Sequence, residues 1–181
     1  MAWKPKGAYY IIGNNQLVVE AAVAEARRLG LNPHVLTRSL EGEAREAAGR
    51  FVALAQEIQA GGGPVARPGC LIAAGETTVT VKGQGKGGRC QEFALAAALE
   101  MDGLDGIAVL AAGTDGTDGP TDAAGALADG NTAARALVQG YDLRARLEDN
   151  NSHAVFAGLG DLVMTGPTNT NLLDLYLAVV A

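Results

Sequence analysis

Three carboxylates fall close together in GTDGTDGPTDAAG, residues 113–125: Asp115, Asp118 and Asp122, set among glycines and a proline. On a loop this spacing lets carboxylate oxygens converge on a hard cation such as Mg2+, although it does not follow the EF-hand pattern. A solvated turn is the alternative reading, yet a turn requires one Asp-Gly and this stretch carries three aspartates. A second group is cationic. KGQGKGGR, residues 82–89, places Lys82, Lys86 and Arg89 on glycine-rich backbone just ahead of a helical pattern, where unpaired amides and the helix dipole favour anions. The planar fork of Arg89 suits a carboxylate or phosphate; its alternative role is a surface pair with Glu92 one turn on.

Further polar groups flank these two. Glu76 and Thr77 follow an apolar run, and Glu76 reads either as a ligand to metal or hydroxyl or as a carboxylate bonded to local backbone. Thr114 and Thr117 belong to the acidic stretch, whereas Thr168 and Asn169 sit in TGPTNTN, residues 165–171. Cations and helix-end amides on phosphate, carboxylates on Mg2+ and a base beside a hydroxyl are what phosphoryl transfer requires. Other chemistries fit less well. There is no GxxxxGK[ST] of a P-loop kinase, no GxSxG, and neither His34 nor His153 has a nucleophile in its neighbourhood of sequence.

The elements that must position these groups follow from periodicity. Residues 8–12 read as a short strand, residues 17–29 as a helix closed by Gly30, and residues 34–37 as a second strand. An amphipathic helix spans residues 41–60, with Phe51, Leu54 and Ile58 on its apolar side. Gly61-Gly62-Gly63-Pro64 is the best candidate boundary, dividing a βαβα segment, 1–63, from a domain of residues 64–181. Beyond it, residues 70–74 and 78–81 read as strands, residues 90–100 as a helix, and residues 107–112 as a buried strand that delivers the acidic loop. Asn131-Thr132 and Asn150-Asn151-Ser152 read as helix caps, and residues 162–164 and 175–180 as final strands. The expected class is α/β: a mixed, mostly parallel sheet with helices on both faces, a three-layer sandwich.

Composition narrows the partners. With 181 residues and 48% hydrophobic content the chain can build a core, but aromatics are only 4%, which leaves little for stacking bases. A net charge of -6 argues against nucleic acid, whose backbone demands an excess of Lys and Arg. No apolar run is long enough to span a bilayer, and Cys70 and Cys90 lack metal-like spacing, so a reduced, cytoplasmic setting is expected. Self-association is left open.

At GETTVTVKGQGKGGRCQEFALAAALE, AAGTDGTDGPTDAAGA and TGPTNTNLLDLYL the sequence resembles the glycerate 2-kinase family, whose C-terminal portion is called MOFRL. The resemblance covers residues 75–177 and implies a cytoplasmic enzyme of two α/β domains that phosphorylates D-glycerate at its 2-hydroxyl with ATP and Mg2+. Arg89 and Asp115 are the expected catalytic residues on this reading. Glu76, Thr77, Lys82 and Lys86 would bind substrate or phosphate, as would Thr114, Thr117, Thr168 and Asn169; Asp115, Asp118 and Asp122 would ligate the metal. Cys90 stands where the family's GGRNQE motif has Asn. The family's N-terminal domain, with its catalytic lysine, has no counterpart here, so the resemblance implies a fragment, a remnant or one half of a split enzyme, inactive without a separately encoded N-terminal domain. Two other readings stand beside it: a non-catalytic module for small anions or a protein partner, and a hydroxypyruvate reductase, for which the GxGxxG of a nicotinamide site is missing.

Overall fold

The computed structural model describes residues 7, 8, 10 and 12–181, so the strand expected at residues 8–12 lies in part outside the described residues. The first helix, α1 (Asn15–Arg28), starts where the Asn14 side chain accepts the Leu17 amide at 3.1 Å. It leads into β1 (Asn32–Leu40) and then α2 (Ala44–Gln59), whose buried stripe includes Ala48, Phe51, Val52, Ala55 and Ile58. Next come β2 (Gly69–Gly75), α3 (Arg89–Glu100), β3 (Ile107–Gly113) and β4 (Gly125–Asp129). Three short helices, α4 (Thr132–Val138), α5 (Leu143–Glu148) and α6 (Ser152–Leu159), precede β5 (Leu162–Val163) and β6 (Asp174–Val180).

The strands form one sheet in the order β1-β2-β6-β3-β4-β5. The α/β class with a mixed sheet is as expected, but the sheet is not mostly parallel: β1–β2 is its one parallel pairing, and the other four are antiparallel. The crossover through α3 does make β2 and β3 point the same way, as a βαβ connection must. They are not neighbours, because β6 inserts between them and runs against both.

Residues 78–81, expected as a strand, form only an isolated bridge from Thr78 to Glu43. Their polar groups serve α2 instead: the Glu43 carboxylate accepts the Thr80 amide at 3.1 Å and the Thr80 hydroxyl at 2.8 Å, while the Thr78 carbonyl accepts the Ala44 amide. Conversely, β4 is a strand that periodicity did not reveal, since GALAD is short and poor in β-branched residues and is held extended by its pairing with β3.

Two layers of helix cover the sheet unequally. On one face α2 and α3 pack in a core that holds Phe51, Phe93, Leu95, Phe156 and Tyr176, with Phe93 and Tyr176 ring centroids 4.6 Å apart. On the other, α1 contributes Val19 and Ala26 over Cys70, Ile72 and Ala74. Cover by α1 stops short of β3 and β4, so β3 is not the doubly buried strand expected: Ile107, Val109 and Ala111 are buried, whereas Ala108 is exposed. No described helix is long and apolar enough to cross a membrane.

Candidate functional site

The insertion of β6 organises one end of the sheet. Gly75 at the end of β2 and Gly113 at the end of β3 both lie opposite Asp174 at the start of β6, so three segments carrying polar residues leave the sheet side by side. Helix α3 begins above this row, and Arg89, its first residue, reaches down to it. The Arg89 guanidinium donates from Nε to Asp174 Oδ2 at 2.6 Å and from Nη2 to Asp174 Oδ1 at 2.8 Å, a bidentate pair with a carboxylate that is 1% exposed. Its partner is therefore Asp174, with Glu76 Oε1 more distant at 3.4 Å, and not Glu92. The hydrogen bonds from Asp174 hold the guanidinium charge firmly, raising an already high pKa.

Asp174 is itself held. The Tyr176 hydroxyl donates to Asp174 Oδ2 at 3.1 Å. Because that hydroxyl has one proton, the Thr77 hydroxyl, 3.0 Å away, donates to the Tyr176 oxygen. Burial and the nearby anionic groups push the Tyr176 phenol well up, so it stays a donor. Thr77 thus acts from beneath the site, 2% exposed, while Glu76 stands exposed at its edge.

The glycine-rich segment is not the mobile clamp expected of it. Its amides are satisfied one after another by Asp149, Asn150 and Asn151: Lys82 and Gly83 donate to Asn150 Oδ1 at 2.8 and 3.0 Å, Gln84 to Asp149 Oδ1 at 2.9 Å, and Lys86 to Asn151 Oδ1 at 3.4 Å. The glycines serve this fit, since a Cβ at Gly83, Gly85 or Gly87 would collide with residues 149–152, and one at Gly88 with Asp118. Asn150 and Asn151 were expected as caps; the Asn151 side chain makes no cap bond and holds the loop instead. Asn150 also donates from Nδ2 to Glu92 Oε2 at 2.9 Å, and Glu92, 2% exposed, pairs with Arg45 at 3.0 Å.

The acidic loop is likewise spent on structure more than its composition suggests. Asp118 is 2% exposed and accepts the Cys90 and Gln91 amides at 3.1 and 2.9 Å, capping α3 from a distant loop. Burial pushes its carboxyl up and these hydrogen bonds pull it back. Asp115 Oδ1 accepts the Thr117 amide at 3.0 Å, and Asp122 lies out in solvent with Oδ1 3.8 Å from His153 Nε2. The expected three-carboxylate cation centre does not form, because Asp118 spends both oxygens on α3; among the described residues no group of three or more His, Cys, Asp or Glu is placed to hold a metal ion.

The third loop joins the second. Thr114 donates to the Leu173 carbonyl at 2.7 Å and accepts the Leu172 amide at 2.7 Å, and Thr168 donates to the Thr114 carbonyl at 2.6 Å and from its amide to the Asp115 carbonyl at 3.0 Å. Thr114 and Thr168 are thereby staples between loops, whereas Thr117 and Asn169 are exposed.

Above Arg89 opens a cavity of about 480 Å³. Thr77, Arg89 and Glu92 line it together with Gly87, Gly88 and Asn150, and Val79, Val81 and Pro120 give it apolar walls. The amides of Gly87, Gly88 and Arg89 make no hydrogen bond among the described residues, nor does Arg89 Nη1. Of the residues expected at the site, Arg89 and Thr77 meet here; Lys82 lies instead beside Glu43, Arg45 and Glu46. Asp174, Tyr176, Asn150 and Glu92 escaped sequence reasoning. The signals were faint: a lone carboxylate opening the last apolar strand, and an Asp-Asn-Asn triplet readable as a cap.

Comparison with known proteins accords with this geometry. The model of the MOFRL family matches residues 69–174. The chain is 45% identical over 172 residues to D-glycerate 2-kinase of Thermotoga maritima, covering 94% of this chain and 41% of that protein, and 41% identical over 172 residues to glycerate 2-kinase of Pyrococcus horikoshii, covering 94% and 39%. It superposes on the crystal structure of the Thermotoga maritima glycerate kinase with a TM-score of 0.92 at 44% identity, covering 95% of this chain and 42% of that one. The chain thus spans about 40% of the length of the curated relatives it matches, as their C-terminal part. With the family match running through both the Arg89 helix and the acidic loop, this chain belongs to the MOFRL family.

Proposed function

We propose that this chain supplies the C-terminal part of a glycerate 2-kinase site, in which the phosphoryl group of ATP passes to the 2-hydroxyl of D-glycerate. The observation that carries the reading is Arg89, locked bidentately by buried Asp174 at the start of α3, with Nη1 and the amides of Gly87, Gly88 and Arg89 left for an anion beside the cavity. A preorganised guanidinium with converging amides stabilises charge on a carboxylate or a phosphoryl oxygen without reorganising when the reaction occurs. Asp174 keeps the fork from swinging, and Tyr176 and Thr77 keep Asp174 in place. The apolar walls at Val79, Val81 and Pro120 limit water around the bound anion.

Mg2+ bound to nucleotide would neutralise phosphate charge, but Asp115, Asp118 and Asp122 do not fit a shared cation centre, and no step here is assigned to them as metal ligands. The groups this chain lacks, a base for the 2-hydroxyl and most of a phosphate cradle, belong in this reading to an N-terminal domain supplied separately. The family match begins at residue 69, which supports dividing the chain at residues 63 and 64. Cys70 and Cys90, both free and buried, support a reducing, cytoplasmic setting.

A non-catalytic anion-binding module is the second reading, favoured by how fully the acidic and glycine-rich loops are used for internal bonds. Supplying the N-terminal half of a relative and following D-glycerate phosphorylation by 31P NMR separates the two. Activity that appears on mixing, and falls by roughly 100-fold or more in Arg89→Ala as for loss of one transition-state donor, supports the kinase; a complex that forms yet never turns over supports the module.

A further inference from the structure

Building on the reading that the Arg89 cavity is the functional site, we propose that Asn150 is its positioning residue, the one side chain that fixes the glycine-rich wall of the cavity against the body of the fold. Its carboxamide is used on both sides. Oδ1 accepts the amides of Lys82 and Gly83 at 2.8 and 3.0 Å, and Nδ2 donates to Glu92 Oε2 at 2.9 Å. Glu92 is 2% exposed on α3, one turn beyond Arg89, and its other oxygen is held by Arg45 of α2. Arg45 continues to Glu148 at 3.0 Å and to the Leu147 carbonyl at 3.1 Å, just before Asn150 in the chain. A closed circuit results, running from the glycine-rich segment through Asn150, Glu92 and Arg45 back to the backbone that carries Asn150.

Three features show that the residue type matters. Asn150 is 7% exposed, so each polar atom must find a partner within the protein. Its φ is 52°, a left-handed conformation that Asn adopts readily and most other side chains do not. And it needs a donor and an acceptor at once: aspartate would set a carboxylate against Glu92, and leucine would orphan two amides and a buried carboxylate. Asn150 also lines the cavity, so the tether and the binding surface meet in one residue. Asp149 and Asn151 extend the tether along Gln84, Gly85 and Lys86.

The test is amide hydrogen exchange on the full chain, comparing the parent with Asn150→Gly and Asn151→Ala. Glycine keeps the left-handed backbone and deletes only the carboxamide. The Lys82 and Gly83 amides are expected to exchange at least about tenfold faster in Asn150→Gly, as two hydrogen bonds are lost, with α2, α3 and β3 unchanged. In Asn151→Ala the gain is expected at Lys86 alone. Exchange at Lys82 and Gly83 that stays within about twofold of the parent, or acceleration shared equally by α3 and β3, overturns the proposal. Titration with ATP, read on the Gly87, Gly88 and Arg89 amides by NMR, completes it: a parent response weakened in Asn150→Gly supports positioning, and a response undiminished there overturns it. An unresponsive parent counts against the Arg89 reading, and the exchange result then decides the role of Asn150.

Discussion

Replacing Asp174 with Asn tests the core of the site, because it removes one charge while keeping nearly the same shape. Asp174 is 1% exposed and accepts three hydrogen bonds, two from Arg89 and one from Tyr176. An asparagine can accept on one side only; its amide nitrogen would face a guanidinium N–H or the Tyr176 hydroxyl. Breaking a fully buried ion pair costs roughly 3–5 kcal/mol, since the surviving charge is left desolvated. Here the Arg89 side chain is 26% exposed and Glu76 stands 3.4 Å away, so water and a weaker partner recover part of that. We expect a loss of roughly 2–3 kcal/mol, which for a chain of this length is a melting temperature lower by about 4–12 °C. Calorimetry on Asp174→Asn, Arg89→Met and the double variant gives the interaction directly. A coupling of roughly 2 kcal/mol is expected, and a value below about 0.5 kcal/mol would refute the view that Asp174 holds Arg89.

Two more perturbations bear on the same end of the fold. Asp118→Asn leaves α3 with one amide facing a donor and is expected to cost about 1–2 kcal/mol in urea denaturation at neutral pH. Burial raises the Asp118 pKa in the folded chain above the usual aspartate value of about 3.9, so its stabilising contribution is complete below that value and declines as pH rises through the raised one. The stability gap between the parent and Asp118→Asn should therefore narrow with rising pH, and a gap that widens would contradict the desolvation argument. The two thiols should be inert in the folded protein: burial raises both, and Cys90, fully buried beside Asp118 and Asp174, is raised the most. A thiol reagent is expected to label neither until denaturant is added; rapid labelling of the native chain would show that α3 opens at its start.

Much of the scaffold was legible because it is local. Apolar periodicity marks α1, α2, α3 and the β2, β3 and β6 runs, and each depends on residues a few positions apart. Arg89 was legible too, as a fork at the first turn of a helix. Two errors have one cause. Residues 78–81 look like a strand but cap α2, and GALAD does not look like a strand yet pairs with β3, since in both cases a distant partner outweighs weak local preference.

The site divides along the same line. Residue types in the chain settle which loops carry charge, that α3 starts with a cation, and that the glycines permit close approach. What those groups do was settled by β6 inserting between β2 and β3. That one long-range pairing brings Asp174 between Gly75 and Gly113, under Arg89, and turns a surface arginine into a buried, oriented one. The same folding sends Asp118 to the start of α3 and Asn150 to the glycine-rich segment, so residues that read as ligands or caps become supports. Sequence spacing is blind to such pairs because their members lie 28 to 85 residues apart, and nothing in the local chemistry of an aspartate or asparagine announces which amide it will meet.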